Sequence, residues 1–252
     1  MKVTAFIGSA RKKHTYKTTE KFLKTLQTFG KVEYEIVMLG EYNLDTCKGC
    51  KLCLDKGEEL CNLKDDRTVL LEKMKNSDGV VFASPNYSFH VSALMKQFLD
   101  RLGFIFHRPQ YFGKTFTGIV AQGVYGGSKI VKYFNFIGKA LGFNVVKGIC
   151  VTNLEPVSEK AIEKNERKIV QLSKRFYKQL IKNELPKPSL FDLFIFRMSR
   201  TSMKMKLDEN FRDYNYYIEK GWFTSDFFYP VKLSPVKKFM GRLFDSMAQK
   251  TV

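Results

Sequence analysis

The chain has 252 residues, 44% of them hydrophobic and 27% charged, enough to bury a substantial core as one globular domain with an appendage and to fold without disulfide staples. Its start, MKVTAFIGSARKK, offers a single Lys and about six apolar residues before a Gly-Ser turn, too short for a secretory h-region, and no later stretch approaches ~20 uninterrupted apolar residues. A formal charge of +18, from 43 Lys and Arg against 25 Asp and Glu, suits nucleic acid, anionic lipid or acidic protein partners. The basic residues are spread along the chain, however, and there is no RNP aromatic signature or zinc-finger spacing, so nucleic-acid binding is not expected and a solvated basic surface is the simpler reading.

With no signal peptide or transmembrane helix expected, a cytoplasmic location follows. In that reducing compartment clustered cysteines point to a metal or redox site more than to structural disulfides.

The first 180 residues alternate between two periodicities. Strand-like runs KVTAFIG (2–8), VEYEIVML (32–39), DGVVFASP (78–85), TFTGIVAQ (115–122) and FNVVKGICV (143–151) are each followed by a helix-like segment, at 16–29, 66–76, 92–103, 127–141 and 158–181. Strand then helix, five times, predicts an α/β doubly wound five-stranded parallel sheet over residues 1–183, with ligands at its carboxyl edge. The loops that reach this edge are 8–15, 40–65, 84–91 and 122–128. Beyond two linker prolines in NELPKPSLFDLF, residues 184–252 read as a helical and aromatic C-terminal extension that packs on the core or on a sister subunit, which predicts a homodimer or higher oligomer.

The first loop, GSARKKHTYKTT, lacks both G-x-G-x-x-G and the Walker pattern. It offers hydroxyls at Ser9, Thr15, Tyr16, Thr18 and Thr19 with Arg11 at a helix N-terminus, a set that suits a phosphate monoester or simply caps a helix. The third loop, SPNYSFH, presents amides and an aromatic face, and the fourth, AQGVYGG, is small and glycine-rich enough for a flat ring to approach its main chain. His90, in the third loop, reads either as a hydrogen-bonded structural residue or as a group that polarises a ring or donates a proton. The second loop holds CKGCKLCLDKGEELC, four of the five cysteines within fifteen residues. Cys150 falls inside the fifth strand and reads as core.

GSARKK, SPNYSFHVSALMKQFLDR and GGSKIVKYFNFIGKALGF together resemble the flavodoxin-like NAD(P)H-dependent FMN reductase family over residues 1–180. The resemblance implies a flavodoxin-like fold and an FMN oxidoreductase drawing electrons from NAD(P)H. By it, Ser9, Arg11, Thr15, Tyr16 and Thr18 hold the FMN phosphate, Pro85, Asn86, Tyr87 and Ser88 line the isoalloxazine, and Gln122, Gly123, Tyr125, Gly126 and Gly127 close the other side. The family often has Asn-Thr where this chain has HTYKT. CKGCKLC, then Cys61 and NLKDD, looks like the compact motif of the iron-sulfur flavoprotein branch, in which Cys47, Cys50, Cys53 and Cys61 would ligate a 4Fe-4S cluster and electrons would pass to a partner such as ferredoxin. Zinc, a labile disulfide or no metal are the other readings of these cysteines. A flavodoxin-like adaptor at a membrane surface or on DNA is the non-enzymatic alternative.

Overall fold

The computed structural model describes residues 1–182 and 184–251. Positions 183 and 252, which close the expected domain and extension, lie outside the described residues. In chain order the strands are β1 (Lys2–Ile7), β2 (Glu33–Met38), β3 (Gly79–Pro85), β4 (Thr115–Gln122), β5 (Asn144–Val145) and β6 (Ile149–Thr152). The helices are α1 (His14–Gln27), α2 (Leu52–Asp55), α3 (Arg67–Lys75), α4 (Ala93–Arg101), α5 (Gly103–His107), α6 (Gly127–Ala140), α7 (Glu159–Leu180), α8 (Leu190–Lys206), α9 (Arg212–Glu219) and α10 (Pro235–Thr251).

The described residues form two compact units. Residues 1–48 and 63–185 make the first, and residues 49–62 join 186–251 in the second. In the first, all strands run parallel in the order β2-β1-β3-β4-β5, with β6 also on β4. This is the doubly wound arrangement expected from the alternation of strand and helix. Val3, Ala5 and Ile7 of β1, Val81 and Ala83 of β3 and Ile119 and Ala121 of β4 meet Phe22, Leu23, Leu26, Leu172 and Phe176 of α1 and α7 on one face. On the other, Phe6, Phe82, Phe98, Phe116 and Phe134 form an aromatic cluster with α4 and α6, in which Phe82 meets the other four rings edge-to-face and Phe6 stacks on Phe98.

The fifth strand is not continuous over 143–151 as the sequence pattern predicts. Val145 pairs with Phe116 and Ile149 with Ile119, so three residues of the edge oppose two of β4: a bulge. Thr117 donates to the Val146 carbonyl at 2.9 Å, and Gly148 passes so near β4 that an added Cβ would stand 2.1 Å from the Gly118 oxygen.

In the second unit, α8 and α10 pack along one another. Ser189 and Asp192 form a capping box at the start of α8. Buried Arg197 and Arg200 both pair with Asp245 of α10, and Arg197 also with Asp226. Trp222 packs edge-on to Tyr217 and Phe228 and donates its indole N–H to the Phe228 carbonyl at 2.9 Å. α2, from the cysteine segment, packs on α9, and Lys56 donates to the Asn210 carbonyl at 3.2 Å. No helix among the described residues is long and apolar enough to cross a membrane.

Candidate functional site

Strand order reverses between β1 and β3, so the loops after these strands flank the point where such sheets take ligands. After β1, buried Ser9 makes a tight turn: its hydroxyl donates to the Arg11 carbonyl at 3.0 Å and accepts from the Arg11 N–H at 3.4 Å, leaving the Arg11 side chain exposed. α1 then starts at His14, with no side-chain cap from the preceding Lys13 and no acid in its first turn. Its leading N–H groups and the positive end of its dipole therefore suit an anion. Thr15 and Thr18 are buried along α1, and Tyr16 packs against the core with the Lys12 ammonium 5.9 Å from its ring centre. His14 Nε2 lies 2.8 Å from Glu155 Oε1. The His14 contact, with the charges of Lys13 and Arg11, holds the Glu155 carboxyl below its ordinary value.

After β3, Pro85 is buried at the strand end, and Asn86 ties the third loop to the fourth. Its N–H donates to the Ala121 carbonyl and its Nδ2 to the Tyr125 carbonyl, both at 2.8 Å, while its buried Oδ1 has no partner. Tyr87 and His90 exchange backbone hydrogen bonds around Ser88 (φ 48°) and Phe89 (φ 62°), two left-handed residues that are not glycine. Such conformations cost on the order of 1–3 kcal/mol each and persist where surrounding structure imposes them. The His90 ring packs 5.1 Å from that of Tyr133.

After β4, the Gln122 amide is committed to the loop itself. Its oxygen accepts from Gly127 N–H at 2.7 Å, and its nitrogen donates to the Val124 carbonyl and Thr152 hydroxyl at 3.1 and 3.0 Å. Gly126 caps α6 at φ +95°, where a side chain would be strained and would also meet Phe89. Gly123 has open space around it. Tyr87, Phe89 and Tyr125 are each half or more exposed, and the Phe89 and Tyr125 rings lie 5.2 Å apart.

The structure thus brings the predicted residues of three loops to one sheet edge. An uncapped helix start beside Arg11 suits a phosphate monoester, and an unpartnered buried amide oxygen within an exposed aromatic rim suits a flat heterocycle with N–H groups, so the residues present fit FMN.

The cysteines are placed differently. Cys47 and Cys50 are exposed, while Cys53, on α2, and Cys61 are half-buried. Among the described residues no three His, Cys, Asp or Glu side chains are arranged to hold a metal, so these thiols are not a preformed cage. Four thiols are the donor set of a thiolate-ligated cluster, and the backbone that carries them is tightly turned, with Gly49 (φ 65°) and Lys51 (φ 62°) left-handed before α2.

One element here has no counterpart among the residues assigned from sequence. The base of the cysteine loop is closed by Asp65, whose carboxylate takes Arg101 Nη2 at 2.9 Å and Nε at 3.1 Å and the N–H groups of Asp45 and Arg67 at 2.9 and 3.2 Å. Burial alone would raise the Asp65 carboxyl, but these hydrogen bonds and the guanidinium charge outweigh it and hold it low. Asp66 pairs with Asn43 in the same way, accepting from its N–H at 2.7 Å. The only sequence signal was the presence of Asp65 and Arg101 in the NLKDD and FLDR motifs.

A family model described as NADPH-dependent FMN reductase matches residues 1–153. An iron-sulfur flavoprotein of Archaeoglobus fulgidus is 36% identical over 159 residues, covering 59% of this chain and 71% of the relative, and a second from the same organism is 32% identical over 143 residues, covering 56% and 69%. The solved structure of RosB with a bound 8-demethyl-8-formylriboflavin-5'-phosphate intermediate superposes with a TM-score of 0.57 over 93% of this chain and 92% of its own, at 13% identity, a likeness of fold.

Proposed function

Because this chain belongs to the NADPH-dependent FMN reductase family, in its iron-sulfur flavoprotein branch, we propose that it takes electrons from NAD(P)H through FMN and passes them to a small-molecule or protein acceptor. It is a flavin-dependent oxidoreductase; the donor and the acceptor are the finer part of the reading. The observation that carries it is the β1/β3 switch point, where the uncapped start of α1 and the unpartnered Asn86 oxygen meet the same edge.

In this reading Arg11 and the first turn of α1 hold the phosphate, with Ser9 shaping the turn and Thr15, Tyr16 and Thr18 packing beneath it. Asn86 Oδ1 accepts a ring N–H. Pro85, Tyr87, Ser88, Gly123, Tyr125, Gly126 and Gly127 border the ring, while Gln122 fixes the loop they stand on. The bound flavin supplies hydride acceptance and electron release, so the protein needs no catalytic triad: its residues orient the ring and exclude water.

The test is to denature purified chain, identify the flavin released, and mix the intact protein with NADH and with NADPH under anaerobic conditions. Release of FMN and bleaching of the flavin by a nicotinamide support the reading. FAD as the sole flavin, or no bleaching by either nucleotide, overturns it.

A second reading makes the chain an electron carrier in which Cys47, Cys50, Cys53 and Cys61 hold a 4Fe-4S cluster and ferredoxin is the partner. The four-thiol donor set and the names of the two Archaeoglobus relatives favour it, and a basic surface suits an acidic partner. Each single Cys→Ser change should then abolish iron binding and leave FMN in place. Anaerobically reconstituted chain with less than about one iron defeats it, since a cubane needs four.

A further inference from the structure

Helix α10 carries two apolar faces, and only one is used inside its unit. Gly241, Phe244 and Ala248 are buried; Phe244 packs edge-on to Phe194 of α8 at 5.2 Å, and Gly241 lies against Arg197. Val236, Phe239, Leu243 and Met247 form a second stripe at helical spacing and remain 43–67% exposed. Eleven residue steps at 1.5 Å make this stripe about 16 Å long. Arg242, one turn on from Phe239, and Lys250, one turn on from Met247, flank it and are exposed. The one acid of the helix, Asp245, is spent on Arg197, Arg200 and Thr201. Lys232, just before the helix, adds a further exposed cation.

We propose that this face of α10 docks on an anionic lipid surface, with Phe239, Leu243 and their neighbours entering the headgroup boundary and the flanking cations meeting lipid phosphates. Charge decides the occupant. A second copy of the chain seated by a two-fold axis across the middle of the stripe would bring Arg242 against its own kind, whereas an anionic bilayer neutralises both Arg242 and Lys250. A helix with an exposed aromatic and aliphatic stripe whose exposed charged neighbours are all cations has the chemistry of an interfacial helix.

The experiment is flotation of the full chain with vesicles of phosphatidylcholine alone and of phosphatidylcholine with phosphatidylglycerol. The chain should float with the anionic vesicles and be released by high salt. Neutralising two cations in the Arg242→Gln, Lys250→Gln variant should weaken binding about 30-fold, taking the usual gain per basic residue near a charged membrane. The Phe239→Ser, Leu243→Ser variant should weaken it by at least about tenfold. These residues are exposed, and an unchanged far-ultraviolet circular dichroism spectrum and thermal melt of the full chain check that each variant is folded. No flotation of the wild-type chain, equal flotation with neutral vesicles, or binding indifferent to the apolar pair overturns the proposal. A dimer seen by light scattering that the apolar variant dissolves, with no flotation, assigns the stripe to a second copy and overturns it as well.

Discussion

Replacing Arg101 by Met breaks the Asp65–Arg101 pair. The two side chains are 3% and 1% exposed for Arg101 and Asp65 respectively, and they meet through two hydrogen bonds of 2.9 and 3.1 Å, so the variant leaves a carboxylate buried with only the Asp45 and Arg67 N–H groups. Breaking a buried pair by removing one partner costs about 3–5 kcal/mol, a large part of a total stability of about 5–15 kcal/mol. For a unit of this size that lowers the unfolding midpoint by roughly 6–20 °C. The double variant Asp65→Leu, Arg101→Leu should recover much of the loss, because no charge then stays buried. The sign with pH is fixed too. The folded Asp65 carboxyl lies below its ordinary value of 3.8, so its contribution is present above that value and is lost as pH falls through the lower, folded one. The gap between wild type and Arg101→Met should therefore be full at neutral pH and close below about pH 3.8. Urea melts of wild type and both variants at neutral and acid pH measure this. A single-variant loss below about 1 kcal/mol, or a double variant no better than the single, refutes the reasoning.

Arg11→Ala should weaken FMN binding about 10- to 150-fold, the range for a charge-assisted phosphate contact, as read by flavin fluorescence titration; unchanged affinity removes Arg11 from the phosphate site. Gly126→Ala should cost about 1–2 kcal/mol in a denaturant melt and lower flavin occupancy, since position 126 has φ +95° and an added Cβ would meet Phe89 at 2.9 Å. Burial pushes the Cys150 thiol up to about 11, so in metal-free protein at mildly alkaline pH iodoacetamide should label the exposed Cys47 and Cys50 well before Cys150; equal labelling by peptide mass spectrometry would contradict that burial.

The layers and the alternation of strand and helix were legible because buried parallel strands and amphipathic helices announce themselves locally. TFTGIVAQ, for instance, is β4 to the residue, and α3, α6 and α7 begin and end within one residue of their expected bounds. Interactions between residues far apart in sequence were not legible. The Asp65–Arg101 closure spans 36 positions, and neither residue looks unusual in its own segment. The left-handed Ser88–Phe89 turn was hidden because neither residue is Gly or Asn, the types that normally mark positive φ. Of the site residues, Ser9 and Gln122 proved to shape their own loops through hydrogen bonds that composition could not assign. Helix α10, with Ser234 and Pro235 at its start and a 3.6-residue repeat, was readable in principle, but the aromatic crowding just before it drew the segment into one undivided extension.

The extra residue at 146–148 also sets how far the edge strand can change in length. Val145 aligns with Phe116 and Ile149 with Ile119, so although both are odd-numbered they stand on opposite faces of the sheet, the first with the aromatic cluster and the second with α1 and α7. The bulge is a phase shift inserted between two correctly facing halves. Deleting exposed Lys147 would remove that shift and leave Val145 and everything from Ile149 onward with the partners they already have, giving an ungapped ladder. Adding a residue would instead require a second phase shift. This edge of the sheet is therefore asymmetric towards length variation: it can absorb the loss of one residue far more readily than the gain of one.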